Sequence, residues 1–254
     1  MSHYAVLVIK DQNTNLEEML EPYSENLAVE PHIDRTKQEM IEEAKAYKEK
    51  LLERIKEKPD TEISDYQQRF LDAETDQQFY DAEYDSCRDY DEDGNELTTY
   101  NPKSKWDWWV VGGRWSGSLI TKKGEEVDGG LVKELNLDIN KERYDHSLRW
   151  YEVAVEGAPL KESENKDDFF TFYNPDYLRE SYKTKENYAK IHSLPIFFAV
   201  VTPDGEWHEK GEMGWFGMSS ETAEESLDWD LHFMERFIDN LDDDMELVVV
   251  DCHI

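Results

Sequence analysis

The chain has 254 residues, of which 60 are acidic and 28 are basic, giving a formal net charge of −32 at pH 7. This charge disfavours direct binding to nucleic acid or to an anionic membrane, because the summed field of a protein attracts partners of opposite sign, and it suits a partner with a basic surface. The two cysteines, Cys87 and Cys252, are too few for a disulfide framework and too far apart for a paired-cysteine metal site.

The apolar content is modest, at 38%, but aromatic residues reach 13%, which predicts a core built from Trp, Tyr and Phe. Residues 3–9 are rich in Val and Ile and predict a buried strand. This run has neither the basic lead nor the cleavage site of a signal peptide, and no run approaches membrane-spanning length, so we expect a cytoplasmic protein.

Two capping boxes predict a pair of helices. Thr36 begins one helix, which ends at Pro59, and Ser64 begins a second helix over about 66–84. Both carry many charged residues, as solvent-facing helices do. We therefore predict a charged helical hairpin over 35–85, inserted into a larger domain.

An acidic turn follows at Asp89. Asp89, Asp91, Asp93 and Gly94 match the start of a calcium-binding EF-hand loop, but Tyr100 stands where the bidentate Glu is required. A solvated β-turn is the favoured interpretation.

The segment from Ser104 to Gly117, SKWDWWVVGGRWSG, concentrates four of the eight tryptophans around a Gly-Gly-Arg. As a strand it would place Trp106 and Trp108 on one face and Asp107 and Trp109 on the other. One hypothesis is a pocket with stacking walls and an anion-binding arginine, and the alternative is a sheet core in which Asp107 and Arg114 neutralise each other. The candidate ligand-binding residues here are Trp106, Asp107, Trp108, Gly112, Gly113, Arg114 and Trp115.

The remaining pattern is less regular. Residues 131–168 show no clear period. The later predicted elements are a charged helix over 175–192, a strand over 195–202 with a returning strand over 206–210, a helix capped by Ser219 or Ser220, and a strand over 245–254. Strands at both ends with helices between them predict an α+β fold. We expect one domain over 1–254, with a mixed or antiparallel sheet that includes both terminal strands.

A second aromatic and glycine-rich segment spans residues 207–218 and contains Trp215. Two such segments favour a shared concave site, so Trp215 joins the candidate ligand-binding residues.

The last strand carries Asp251 and His253 on one face and Cys252 on the other. If it pairs with the first strand, His3 converges with Asp251 and His253 as a metal or acid–base site. Structural histidines without a metal are the favoured interpretation, and a buried thiol is the favoured role for Cys252.

Four motifs in this order, MSHYAVLVI, YNPKSKWDWWVVGGRWSG, GEMGWFGM and VVDCHI, resemble a family of uncharacterised proteins encoded by tailed bacteriophages and prophages. The resemblance covers both ends and two internal blocks. It implies an accessory protein made in the cytoplasm of the host bacterium and carries no catalytic residue over.

Two functional hypotheses follow. The first is a non-enzymatic, nucleic-acid-mimicking inhibitor that binds a basic host protein, such as a defence nuclease, through its acidic surface. The second is a nucleotide or small-molecule site formed by the Trp, Gly and Arg residues, which sequesters its ligand or acts on it. We predict no cofactor.

Overall fold

The computed structural model describes residues 2–214 and 217–254. Within these ranges the strands are β1 (His3–Lys10), β2 (His32–Arg35), β3 (Asp89–Tyr90), β4 (Glu96–Thr98), β5 (Trp108–Val111), β6 (Leu119–Ile120), β7 (Glu126–Val127), β8 (Gly129–Leu131), β9 (Ala199–Val201), β10 (Trp207–Glu209) and β11 (Glu246–His253). The α-helices are α1 (Leu16–Leu20), α2 (Lys37–Glu57), α3 (Asp65–Asp72), α4 (Asp76–Glu83), α5 (Lys141–Ala154), α6 (Pro175–Tyr182), α7 (Lys185–Ile191) and α8 (Ala223–Phe237).

A six-stranded sheet has the order β10-β9-β1-β11-β5, and β8 also pairs with β11. Strand β1 is parallel to β9 and antiparallel to β11, so the sheet is mixed. Strands β1 and β11 pair along their whole length, from His3 opposite His253 to Lys10 opposite Glu246. The predicted α+β fold, with a mixed sheet that includes both terminal strands, is confirmed.

The alternation of apolar side chains along β1 and β11 covers both faces of this sheet. One face carries Tyr4, Val6 and Val8 and packs against Leu20 of α1. The opposite face carries Leu7 and Ile9 with Leu247 and Val249 and packs against Trp229 and Phe233 of α8. Successive side chains of a strand point to opposite faces. The need to bury these particular residues in each core therefore fixes the register of the two strands.

Helix α8 begins later than predicted. Thr222, rather than Ser219 or Ser220, caps it, because Thr222 and Glu225 satisfy each other's backbone N–H groups in a capping box. The helix is held to the sheet by Trp229, whose indole N–H donates to the carbonyl of Phe197 at 2.9 Å.

Two helical segments differ from the sequence prediction. Helix α5 lies in the segment without a clear period, where its half-buried face packs Tyr151 and Val155 against Leu178. The single helix predicted over 175–192 is two helices, α6 and α7, because Lys183 has a positive φ of 63° and ends the first.

The chain divides into two compact units, residues 1–26 with 103–254 and residues 27–102. The six-stranded sheet, α1 and α5 to α8 belong to the first unit. The expected single domain over 1–254 stays a prediction.

The second unit contains the predicted helical region. Its three-stranded sheet has the order β2-β4-β3, and α2 packs on α3 and α4 through residues such as Met40, Phe70 and Phe79. The helix predicted over 66–84 is two helices, because Thr75 forms a capping box of its own with Gln78.

The acidic turn between β3 and β4 is a local turn. The Asp91 carboxylate accepts hydrogen bonds from the backbone N–H groups of Asp93 and Asn95 and from the Asn95 amide. These hydrogen bonds lower the pKa of Asp91, and the bond from the Asn95 side-chain amide has the largest effect. In the described ranges no helix combines the length and the apolar character that a membrane span needs.

Glu96 is the buried electrostatic centre of the second unit. It is fully buried, and its two carboxylate oxygens accept hydrogen bonds from Arg35 at 2.5 and 3.0 Å and from Arg88 at 2.5 Å. Arg35 also contacts the more exposed carboxylates of Glu43 and Glu83.

Replacing Glu96 with Gln should destabilise this unit by about 2 kcal/mol, because one of the two buried oxygens that accept from Arg35 and Arg88 becomes an NH2 donor facing an arginine. The matched variant Glu43→Gln removes a more exposed partner of the same arginine and should change stability by less than about 1 kcal/mol. Urea unfolding followed by circular dichroism measures both. Equal effects of the two substitutions would contradict the central role of Glu96.

Candidate functional site

A row of three aromatic rings crosses the central sheet where β1 begins and β11 ends. His3 lies opposite His253 in the β1–β11 ladder, and His253 lies opposite Trp108 in the β11–β5 ladder. The row lies on the face that carries Leu7 and Leu247 further along the strands, because the side-chain period of a strand is two. We call His3, His253, Trp108, Asp107 and Asp251 the terminal-strand cluster.

Asp251 orients the first histidine. Its Oδ1 lies 2.9 Å from Nδ1 of His3, and its Oδ2 accepts a hydrogen bond of 2.9 Å from the backbone N–H of Arg114. The residue is only 2% exposed. A buried carboxylate is stable only when it is paired or hydrogen-bonded, so these two contacts hold it in place.

Asp107 orients the second histidine. Its Oδ1 lies 2.6 Å from Nδ1 of His253, and its backbone N–H donates to the carbonyl of His253 at 2.9 Å. The His253 ring stacks on Trp108 with centroids 5.0 Å apart and packs edge-on against His3 at 4.8 Å.

Both histidines therefore use the same ring nitrogen. An ionised carboxylate only accepts hydrogen bonds, so Nδ1 of each neutral ring carries the hydrogen and Nε2 carries the lone pair. Carboxylate-oriented histidines of this kind serve as proton acceptors or as metal ligands. The cluster thus presents two adjacent, oriented imidazoles.

The Gly-Gly turn after β5 gives the carboxylates their space. Gly112 and Gly113 have positive φ values of 70° and 54°. A Cβ at Gly112 would lie 2.3 Å from Oδ2 of Asp128, and one at Gly113 would lie 2.4 Å from Cβ and Oδ2 of Asp251. Only glycine combines this backbone with this close approach.

Asp128 stabilises the other side of the same turn by hydrogen bonds. Its carboxylate accepts hydrogen bonds from the backbone N–H of Gly117 at 2.7 Å and from the Ser116 hydroxyl at 3.1 Å. Sequence reasoning missed Asp128, since it lies in a polar stretch without a motif. It also missed the pairing of Asp107 with His253, which depends on a neighbouring strand.

Arg114 is exposed next to the anchored turn. Among the residues that the structure describes, its guanidinium makes no ion pair, and Asp107 pairs with His253 instead. The alternative in which Asp107 and Arg114 neutralise each other is therefore wrong.

The other tryptophans of the segment take separate positions. Trp106 precedes β5 and does not share a face with Trp108. It is buried on the opposite face of the sheet, in edge contact with Trp109 at 6.5 Å. Trp115 is half-buried and packs on the core beneath α8. The predicted alternation failed for Trp106 because the strand begins only at Trp108.

The second glycine-rich segment approaches the start of β1. The Ser2 hydroxyl donates to the carbonyl of Gly214 at 2.9 Å and accepts from the backbone N–H of Gly217 at 2.6 Å. The predicted ligand-binding residue Trp215 lies outside the described residues.

Cys252 points away from the cluster. It is fully buried on the face of Tyr4 and Val250, and burial raises the pKa of its thiol well above the ordinary value, with a further rise from the charge of Asp251. A buried thiol of this kind is unreactive.

His3, Asp251 and His253 lie together, as the pairing of the terminal strands requires. Within residues 2–214 and 217–254, however, no group of three or more His, Cys, Asp or Glu side chains has the geometry to hold a metal ion. Ligand binding by these residues stays a prediction.

Comparisons with family models, with curated proteins and with solved structures gave no match to this chain. The resemblance to bacteriophage proteins therefore remains a hypothesis, and the site is judged on its geometry.

Replacing Gly113 with Ala should destabilise the protein by more than the roughly 1–2 kcal/mol of a positive-φ alanine, because its Cβ also collides with Asp251. The matched variant Gly124→Ala has a positive φ of 84° and open space around the added Cβ, so it carries the backbone penalty alone. Thermal unfolding measures the difference between the two variants. Equal destabilisation would show that the contact with Asp251 is unimportant.

Proposed function

We propose that the terminal-strand cluster and Arg114 bind a nucleotide-class ligand, that is, a small molecule with a planar ring and a phosphate. The observation that carries this proposal is the combination of an exposed tryptophan, an exposed arginine without an ion pair in the described residues, and two carboxylate-oriented histidines at one end of one sheet.

Trp108 is suited to contact the planar part of such a ligand. Its ring is fixed on one side by stacking on His253, yet the residue is 44% exposed. A rigid, partly exposed indole gives a stacking surface with little conformational entropy to lose, and stacking of a base on an aromatic ring is insensitive to the identity of the base.

Arg114 is suited to contact the phosphate. Its guanidinium has a planar array of donors that matches phosphate oxygens in pairs. The backbone of Arg114 is fixed to Asp251, so the base of the side chain has a defined position. In a protein of net charge −32, a cation that makes no ion pair with the described residues favours an anion locally against the overall field.

His3 adds a polar contact to the site. Because Asp251 uses Nδ1 of His3, its Nε2 is the ring atom left to contact a ligand or to exchange a proton, whereas His253 is only 5% exposed and supports the Trp108 ring. We favour binding without turnover as the function, with acid–base reaction as the alternative use of the same atoms.

A second candidate function is inhibition of a basic host protein, such as a defence nuclease, by a phage-encoded acidic protein acting in the host cytoplasm. The observation that favours it is a segment of exposed aromatic residues next to carboxylates. Phe170, Phe172 and Tyr173 are 64%, 94% and 62% exposed, and Asp167 and Asp168 precede them. Exposed aromatic residues are enriched at protein interfaces, and the neighbouring carboxylates suit a partner with a basic surface.

The nucleotide proposal predicts a shift in thermal stability. Nucleoside phosphates and cyclic dinucleotides should include a ligand that raises the melting temperature by roughly 5–10 °C at one hundred times its Kd. Arg114→Ala should abolish this shift because it removes the phosphate contact. Arg143→Ala, at an exposed position on α5, makes the same charge change and should retain the shift.

Chromatography of the ligand after incubation distinguishes binding without turnover from a reaction at the site. Recovery of intact ligand agrees with binding, and conversion would contradict the non-enzymatic form of the proposal. The absence of any shift, together with salt-sensitive co-purification of a basic protein, would contradict the nucleotide site and favour the second candidate.

A further inference from the structure

A cleft between α6 and α8 lies apart in sequence from the terminal-strand cluster. Its volume is about 420 Å³. The polar and aromatic residues that line it include Tyr173, Tyr177, Tyr182, Lys210, Glu221 and Asp230. Concave sites with aromatic walls and a few polar groups are the usual form of binding sites.

The single lysine of this lining is already neutralised. Lys210 Nζ donates to both carboxylate oxygens of Asp230, at 2.8 and 2.7 Å. Burial raises the pKa of Asp230, and the charge of Lys210 opposes that rise. The ammonium and this carboxylate therefore satisfy each other inside the cleft.

Glu221 has a carboxylate oxygen without a partner among the described residues. Its Oε2 is buried from water and has no hydrogen-bond partner among residues 2–214 and 217–254. The carboxylate packs against the backbone at Gly211, where a Cβ would lie 2.3 Å from Oε2. A carboxylate with a buried, unpartnered oxygen is unfavourable, and because Glu221 also lines the cleft, pairing of its carboxylate with a cation that enters the cleft would offset that cost.

The aromatic walls also favour a cation. Tyr173 and Tyr177 stack with ring centroids 5.6 Å apart, and both rings are more than half exposed. Burial raises the pKa of Tyr182 to about 12, so its hydroxyl is neutral at physiological pH. The faces of neutral tyrosine rings attract guanidinium and ammonium groups.

The exposed aromatic segment extends this cleft along the chain. Phe170 and Phe172 pack edge-on with centroids 4.8 Å apart, and Tyr173 links them to the lining of the cleft. An apolar strip beside a cation-accepting cleft matches a polypeptide with a basic side chain and apolar neighbours better than a free inorganic cation.

We propose that the cleft between α6 and α8 binds an arginine side chain of a basic partner protein, with Glu221 as its counter-ion and Tyr173 and Tyr177 as its stacking surface. Arginine fits better than lysine because its planar fork pairs with a carboxylate and stacks on an aromatic ring at the same time. This inference rests on the second candidate function and identifies the chemistry of the partner.

A direct test uses a capped pentapeptide with one arginine between glycines, titrated into the whole protein by calorimetry. We expect saturable binding that is lost when citrulline, which has nearly the same shape and no charge, replaces the arginine. Glu221→Gln should weaken binding at least tenfold. Glu224→Gln makes the same charge change at an exposed position in the first turn of α8 and should leave the affinity unchanged.

A second variant guards against a folding defect. Tyr177→Leu keeps an apolar side chain but removes the ring, and it should weaken binding by threefold or more while the melting temperature stays near that of the wild type. Equal binding of the arginine and citrulline peptides, or equal effects of Glu221→Gln and Glu224→Gln, would overturn the assignment.

The peptide assay separates this inference from the function on which it rests. If the arginine peptide binds as expected but no basic protein partner is found, the inhibitor hypothesis is contradicted and the assignment of the cleft stands. If a basic partner is found and Glu221→Gln does not change its binding, the assignment of the cleft is contradicted and the inhibitor hypothesis stands.

Discussion

The antiparallel pairing of β1 with β11 is the constraint on which the candidate site depends. Eight consecutive residue pairs join the two ends of the chain, and both strands are buried on both faces over most of their length. A slip of one residue in either strand would turn its side chains to the opposite face, disrupting the packing of both cores and moving that strand's histidine away from its carboxylate. The packing of the core therefore fixes His3 opposite His253.

The same pairing brings a polar cluster to the end of an otherwise apolar sheet. Asp251 follows four buried residues, Leu247–Val250, and would be unfavourable there without donors. His3 and the backbone of Arg114 supply them, and Gly113 leaves room for the carboxylate. Strand pairing, the Gly-Gly turn and the orientation of His3 are consequently parts of one arrangement. Its polar groups reduce the apolar packing available at this end, as is common where a site is held ready for a ligand.

Local patterns predicted the sheet and much of its chemistry. The apolar runs at both ends predicted the central strands, and alternation placed Asp251 and His253 on one face with Cys252 on the other. The two glycines predicted a bend. These features depend on short-range periodicity and on backbone freedom, which the sequence records directly.

The features that the sequence did not predict depend on long-range contacts or on small differences between local signals. The partner of Asp107 is His253, 146 residues away, whereas the nearby Arg114 was the obvious candidate from the sequence. Trp106 departs from the expected face because the strand starts two residues later. Thr222 competes as the cap with Ser219 and Ser220, and the capping box at Thr75 interrupts a segment that the sequence predicts as one helix, so only the geometry shows where each helix begins.

The central claim is that two buried or half-buried carboxylates hold Nδ1 of His3 and of His253 and leave both Nε2 atoms without a hydrogen. Nitrogen-15 NMR of the imidazole rings, recorded where both are neutral, tests this claim directly. We predict the Nδ1–H tautomer for both rings, the opposite of the tautomer that free histidine favours, and loss of that preference at His3 in Asp251→Ala. An Nε2–H tautomer at either ring in the unmodified protein would contradict the claim.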